Sequence, residues 1–315
     1  MLTKPPSKVA ILDAFTSEAY KGNPAAVVLS VEPLDLEDRQ RLAIEFNQPA
    51  TAFVSHPSIS AATEFASSST TPNPVIRWHT ATGASLGLCG HATMAASVYL
   101  LDYFVPTLSE IRYHFYVPSQ DASAETAHEL VATRNQDGRI EISLPASRTG
   151  QPIAPELKGP VLVALKAASG VDQAQVEAIT LSRTSSPTHE DLTIQLTRDV
   201  DLGALVIDSR KFLSVPYRGI FITNLGPPGS EAHFRSRVFF PSVGILEDQV
   251  CGHAHTRLGP YWIEQLAATD SPLPEVVEVN QVSPRGGRFA LRWDGKSGDA
   301  GGKVCLRGKA KRLFL

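Results

Sequence analysis

The chain has 315 residues, 43% hydrophobic and 19% charged, with 29 basic side chains against 32 acidic ones for a net charge of −3. That content builds a core for two domains or one large one and excludes a disordered chain. Without a basic excess, binding of nucleic acid through its phosphates is excluded too. No run reaches the roughly 18 uncharged apolar residues of a membrane span, and Met1-Leu-Thr-Lys-Pro-Pro6 offers no apolar signal core. Three cysteines make an odd, sparse set for a secreted disulfide scaffold. The expectation is a cytoplasmic protein whose partners include neither membrane nor nucleic acid.

In chain order, Val9–Phe15 reads as a strand, Gly22-Asn-Pro24 as a turn and Ala25–Leu29 as the returning strand. Asp35–Phe46 places Leu36, Leu42, Ala43 and Phe46 at helical spacing. Thr51–Val54 and Val75–His79 are strands, and the Ser-, Thr- and Pro-rich Ser58–Pro74 between them reads as a surface insertion. After the loop Gly87–His91, the stretch Ala92–Leu101 is almost free of charge, as a helix buried on all sides would be. Strands follow around Tyr113–Val117, Leu130–Thr133 and Arg139–Leu144. Ser147–Pro160, with Pro and Gly and few large apolar residues, is the expected crossing between domains.

The second half repeats the plan, with strands at Leu192–Leu196, Gly219–Thr223 and Arg237–Phe240. The loop Asp248–His253 then opens a helical segment, Ala254–Leu266, and strand-like runs at Val276–Val279, Arg288–Trp293 and Val304–Leu306 close the chain. The expected class is α+β in two similar halves, 1–147 and 148–315, the first taking in the last few residues of the chain.

Two segments carry an echo: Leu88-Cys-Gly-His-Ala92 and Val250-Cys-Gly-His-Ala254, each ahead of a helix and about half the chain apart. A Cys-Gly-His turn at a helix N-terminus presents free N–H groups and the positive end of the dipole to an anion. Gly90 and Gly252 let a ligand approach the backbone, and the same field favours thiolate at Cys89 and Cys251. His91 and His253 add imidazoles that ordinarily titrate near neutrality. The usual C-x-x-C or C-x-x-H spacing of zinc sites is absent, so a metal is not favoured. Cys305, in a terminal strand, reads as structural, as do His79 and His255.

At these residues the chain resembles the PhzF-like (phenazine biosynthesis-like) family of the diaminopimelate epimerase superfamily. The resemblance runs through Val9-Ala-Ile-Leu-Asp-Ala-Phe-Thr16, Gly22-Asn-Pro-Ala-Ala-Val-Val28, Ala43-Ile-Glu-Phe-Asn47 and Thr51-Ala-Phe-Val54. It continues in Ile76-Arg-Trp-His-Thr80, Leu88–Ala95, Ser236-Arg-Val-Phe-Phe-Pro241, Glu247-Asp248 and Gln281-Val-Ser-Pro-Arg-Gly-Gly287. It implies two domains, each an open β-barrel around a central helix, with the active site in the cleft between them. It also implies a small-molecule substrate, no metal or organic cofactor, and a homodimer.

Family members isomerise by proton transfer, and the resemblance places their site residues at His91 and Asp248. The family's catalytic Glu position is Ala50 here, its Ser of the second turn is His253, and its Thr before Gly252 is Cys251. Cys89 and Cys251 stand where the two catalytic thiols of diaminopimelate epimerase and proline racemase stand. The catalytic set is therefore Cys89, His91, Asp248, Cys251 and His253, with Asn23, Ala50, Gly90 and Gly252 binding substrate. Three functions are carried forward: an isomerase rebuilt on Cys and His, a cyclase using the same cleft for an addition or pericyclic closure, and a non-catalytic binder.

Overall fold

The structure, a computed structural model, describes residues 8–60, 73–118, 125–147, 150–182, 190–269, 274–295 and 302–314. The Ser58–Pro74 insertion lies mostly outside them; its first residues form a 3₁₀ turn, Pro57–Ser60. The chain divides into two compact units, Met1–Ser143 with Leu306–Leu315, and Leu144–Cys305.

In the first unit, β1 (Lys8–Ala14) pairs antiparallel with β2 (Asn23–Ser30) and with β18 (Ala310–Phe314). Gly22 makes the turn into β2 at φ +65°, where a Cβ would lie 2.1 Å from the Ala14 carbonyl oxygen, so only glycine fits. Helix α1 (Leu36–Phe46) then carries the chain to β3 (Ala50–Ser55), which runs parallel to β2 as such a crossover requires. β4 (Val75–Thr80) pairs antiparallel with β3 and with β5 (Ser85–Leu86), and parallel with β6 (Glu110–Pro118). β7 (Glu125–Arg134) and β8 (Ile140–Pro145) complete a meander with β6. Helix α2 (Gly90–Val98), continued in wider turns over Tyr99–Phe104, has every residue buried and packs on β1, β2, β3 and β18. The other face of β2 and β3 meets α1 through Val28, Phe53, Leu34 and Ala43.

The second unit repeats those pairings in the same order. β10 (Val176–Ser182) pairs antiparallel with β9 (Gln151–Pro152) and β11 (Asp191–Leu196), and β11 runs parallel to β12 (Gly219–Leu225). β13 (Phe234–Phe240) is antiparallel to β12 and β14 (Ile245–Asp248) and parallel to β15 (Val277–Gln281), which pairs with β16 (Gly287–Trp293). β17 (Lys303–Gly308) leads back to the first unit's β18.

The alternation along β11 decides what each face meets. Leu192, Ile194 and Leu196, with Ile220 and Ile222 of β12, form an apolar core with α3 (Pro155–Ser169). Asp191, Thr193 and Gln195 point the other way, toward α4 (Gly252–Thr269), whose Tyr261 hydroxyl donates to Gln195. Trp262 Nε1 likewise donates to Thr223 Oγ1 at 2.8 Å. The central helix therefore meets a sheet face lined with hydrogen-bonding side chains.

Helix α3 begins within Ser147–Pro160, the segment expected to cross between the domains. Pro155 stands in its first turn, where no N–H is needed, and Val161, Ala164, Leu165 and Ala168 bury one face. Pro160 forfeits one intrahelical bond, which the apolar core tolerates. Gly170, at φ +76°, ends the helix.

Candidate functional site

The first-unit turn is built at the mouth of α2. Cys89 is its N-cap residue, in extended conformation, and its carbonyl accepts from the N–H and hydroxyl of Thr93 at 3.0 and 2.7 Å. Cys89 Sγ lies 3.5 Å from His91 Nδ1, and both side chains are buried. A thiol and an imidazole in contact at a helix N-terminus make a proton-accepting pair. Gly90 is the first helical residue. Asn23 and Ala50 start β2 and β3, the strands α2 packs on, and both are fully buried. Ala50 pairs with Ala25 on one side and Thr80 on the other.

In the second unit, Asp248 ends β14 and Cys251 precedes the first turn of α4. Cys251 Sγ accepts from the Ala254 N–H at 3.4 Å, and the thiol is buried. Burial, then the negative charge of Asp248, pushes the Cys251 thiol well above its ordinary value. Cys251 is thus held protonated, not partly ionised as the helix field alone suggests. A buried thiol that keeps its proton is suited to act as a proton donor. Glu247, beside it, is taken up by Arg237, with two contacts of 2.8 Å.

His253 enters a charge cluster that the motif reading did not anticipate. Asp191, fully buried, takes Arg218 Nε and Nη2 at 3.1 and 3.0 Å, Arg257 Nε at 3.0 Å and His253 Nε2 at 3.1 Å. Arg218 Nη2 also lies against His253 Nε2, and Arg257 Nη1 is 3.3 Å from His253 Nδ1. Arg218 in turn stacks on the Phe240 ring. A second ring proton on His253 would point at a guanidinium. Although 41% of the side chain is accessible, both nitrogens lie inside the cluster. Burial, with Arg257 and Arg218, pushes its pKa to about 4 against the pull of Asp191. The expectation that His253 titrates near neutrality therefore fails.

Burial alone would raise the Asp191 carboxyl, but His253, Arg257 and Arg218 together hold it below the carboxylate range. Gly219, paired with Asp191 across the parallel strands, makes the room: a Cβ there would sit 2.6 Å from Asp191 Oδ1 and 2.7 Å from Phe240.

Asp191, Arg218 and Arg257 are the residues sequence reasoning missed. Their signal was faint: an Asp one residue ahead of the expected strand, an Arg before a Gly, and an Arg one helical turn after His253. Among the described residues, no three of His, Cys, Asp and Glu converge as metal ligands do, and no helix is long and apolar enough to cross a membrane.

Comparison with known proteins follows the same lines. The family described as "Phenazine biosynthesis-like protein" matches residues 12–314. Phenazine biosynthesis-like domain-containing protein 2 of Mus musculus is 32% identical over 95% of this chain and 96% of its own. An uncharacterized isomerase of Halalkalibacterium halodurans is 30% identical over 93% of this chain and 92% of its own. A PhzF-family phenazine biosynthesis protein of Enterococcus faecalis, solved by crystallography, matches with a TM-score of 0.70 at 26% identity, covering 98% of both chains.

Proposed function

As the chain belongs to the phenazine biosynthesis-like family, we propose that it is a cofactor-independent isomerase acting by proton transfer on a small-molecule intermediate. The observation that carries this reading is the unlike state of its two Cys-Gly-His turns: Cys89 touches an imidazole, whereas Cys251 is a buried thiol kept protonated by burial and the charge of Asp248. In turnover the Cys89–His91 pair takes a proton from a substrate carbon. The Cys251 thiol returns one to the resulting carbanion, so the substrate is isomerised with no net gain or loss of atoms. The charge of Asp248 helps keep that donor protonated. His253, neutral and held by Asp191, Arg218 and Arg257, shapes the turn and takes no part in the transfer near neutral pH. Asn23, Gly90, Gly252 and Ala50 line the substrate's place in this reading, and Ala50 leaves the family's carboxylate unreplaced.

The reading takes the two units as the two epimerase-like domains and includes a cytoplasmic setting and a homodimer, which rest on composition and family resemblance. Cys89→Ser and Cys251→Ser should each lower isomerisation by orders of magnitude; full activity in both would refute the two-thiol scheme. Buried Ala50 favours one second reading, a cyclase that needs orientation more than a base. Under it the same two substitutions leave product formation from a polyunsaturated precursor unchanged.

A further inference from the structure

The motif Gln281-Val-Ser-Pro-Arg-Gly-Gly287 carries part of the family resemblance, yet none of its residues has a role in the scheme above. Its first residue, Gln281, ends β15 and is fully buried. Both ends of its carboxamide are used on the second Cys-Gly-His turn. Oε1 accepts from the Cys251 N–H at 2.8 Å, and Nε2 donates to the Asp248 carbonyl at 2.5 Å. One donor and one acceptor on the backbone fix which way the amide faces.

Two residues on, Ser283 donates to the Gln249 carbonyl, and the Arg285 N–H donates to Gln249 Oε1 at 3.3 Å. From the other side, buried His255 holds the Cys251 carbonyl with Nδ1 at 2.7 Å and meets Ser236 Oγ through Nε2 at 3.0 Å. Ser236 is the parallel-strand partner of Gln281. The Cys251 peptide is therefore gripped on its N–H by β15 and on its carbonyl by a residue braced on β13.

We propose that Gln281 is a positioning residue that clamps the Asp248 and Cys251 main chains together and so keeps the Cys251 thiol buried at the mouth of α4. The inference rests on the proton-donor role given to Cys251 above. Without the carboxamide, two buried backbone groups lose their partners and the turn is free to open. Cys251 would then move from its buried place toward solvent. A neutral carboxylic acid can do what the amide does, donating through its hydroxyl and accepting through its carbonyl; a carboxylate can only accept, and would face the Asp248 carbonyl with like polarity. The titratable groups nearest position 281 are Cys251, Asp248 and, through Ser236, His255.

The test reads the full chain with no substrate. Gln281→Leu is alkylated with iodoacetamide at pH 8, and the rate at Cys251 is followed by peptide mass spectrometry with Cys305 as internal reference. Hydrogen exchange of the peptide spanning 248–252 is followed in parallel. With the melting temperature within a few degrees of wild type, Cys251 should react about tenfold faster and its amide should exchange about tenfold faster, while Cys305 is unchanged. Rates within twofold of wild type would overturn the proposal. Should Gln281→Leu fail to fold, Gln281→Glu decides: exchange protection near wild type at pH 5 and lost by pH 8 supports it, and equal protection at both overturns it. Neither readout uses turnover, so a failed isomerisation assay and a failed clamp are separate results.

Discussion

His253 Nε2 lies 3.1 Å from Asp191 Oδ2, and that contact, with a guanidinium against each ring nitrogen, turns a candidate acid–base residue into part of a wall. The carboxylate is what makes the arrangement stable: the buried Arg257 and half-buried Arg218 guanidiniums would repel without it.

Asp191→Asn should therefore destabilise the protein by about 3–5 kcal/mol, since it leaves buried Arg257 and half-buried Arg218 uncompensated. His253→Ala should cost well under half of that, because both arginines keep their carboxylate. Urea denaturation of the two variants checks the order; a larger loss for His253→Ala would contradict the account of the cluster.

Gly219→Ala tests the same cluster from the backbone side. The added methyl meets Asp191 Oδ1 and the Phe240 and Phe221 rings at under 3 Å. The expected loss is about 1–3 kcal/mol from overpacking, measured as a lowered urea midpoint. An unchanged midpoint would show that the carboxylate has room to move.

Stability should also fall on mild acidification. His255 is fully buried, and burial pushes its pKa down to about 4, partly offset by its bond to the Cys251 carbonyl. The folded state thus refuses a proton that the unfolded chain takes up below about pH 6.5. The contribution is fully present above that pH and is lost as pH falls toward 4, up to about 3 kcal/mol. Asp191, held below its usual range, adds a further loss at lower pH. Melting temperature against pH should drop through this window, and His255→Gln should flatten the drop; an equally steep profile in the variant would reject the assignment.

His91→Ala should leave the fold intact and cut isomerisation at least about a hundredfold, the scale of a lost acid–base partner. Circular dichroism and product chirality measure the two halves of that statement. Near-normal turnover would remove Cys89–His91 from the site.

Much of this was legible from the residues. The uncharged run after Cys89 foretold a fully buried α2, and the repeated Cys-Gly-His foretold a second helix mouth at Gly252. Helix α3 was hidden because Pro155, Gly159 and Pro160 read as breakers, although the first stands where proline is harmless. The Asp191 cluster was hidden for another reason. Its members come from two strand starts and a helix, and single-residue chemistry gives no sign that side chains from these elements share one carboxylate. The protonation of Cys251 follows from burial and the charge of Asp248, which oppose the helix field and are not visible in the motif.

The most direct measurement is deuterium incorporation in D2O. The wild-type chain would be incubated with a panel of small carboxylic acids carrying an acidic C–H and read by mass spectrometry. The account predicts that one acid gains a single deuterium on carbon in a reaction slowed at least about a hundredfold by Cys251→Ser. Incorporation at the same rate in a Cys89→Ser/Cys251→Ser double variant, or none with any acid in the wild type, would contradict it.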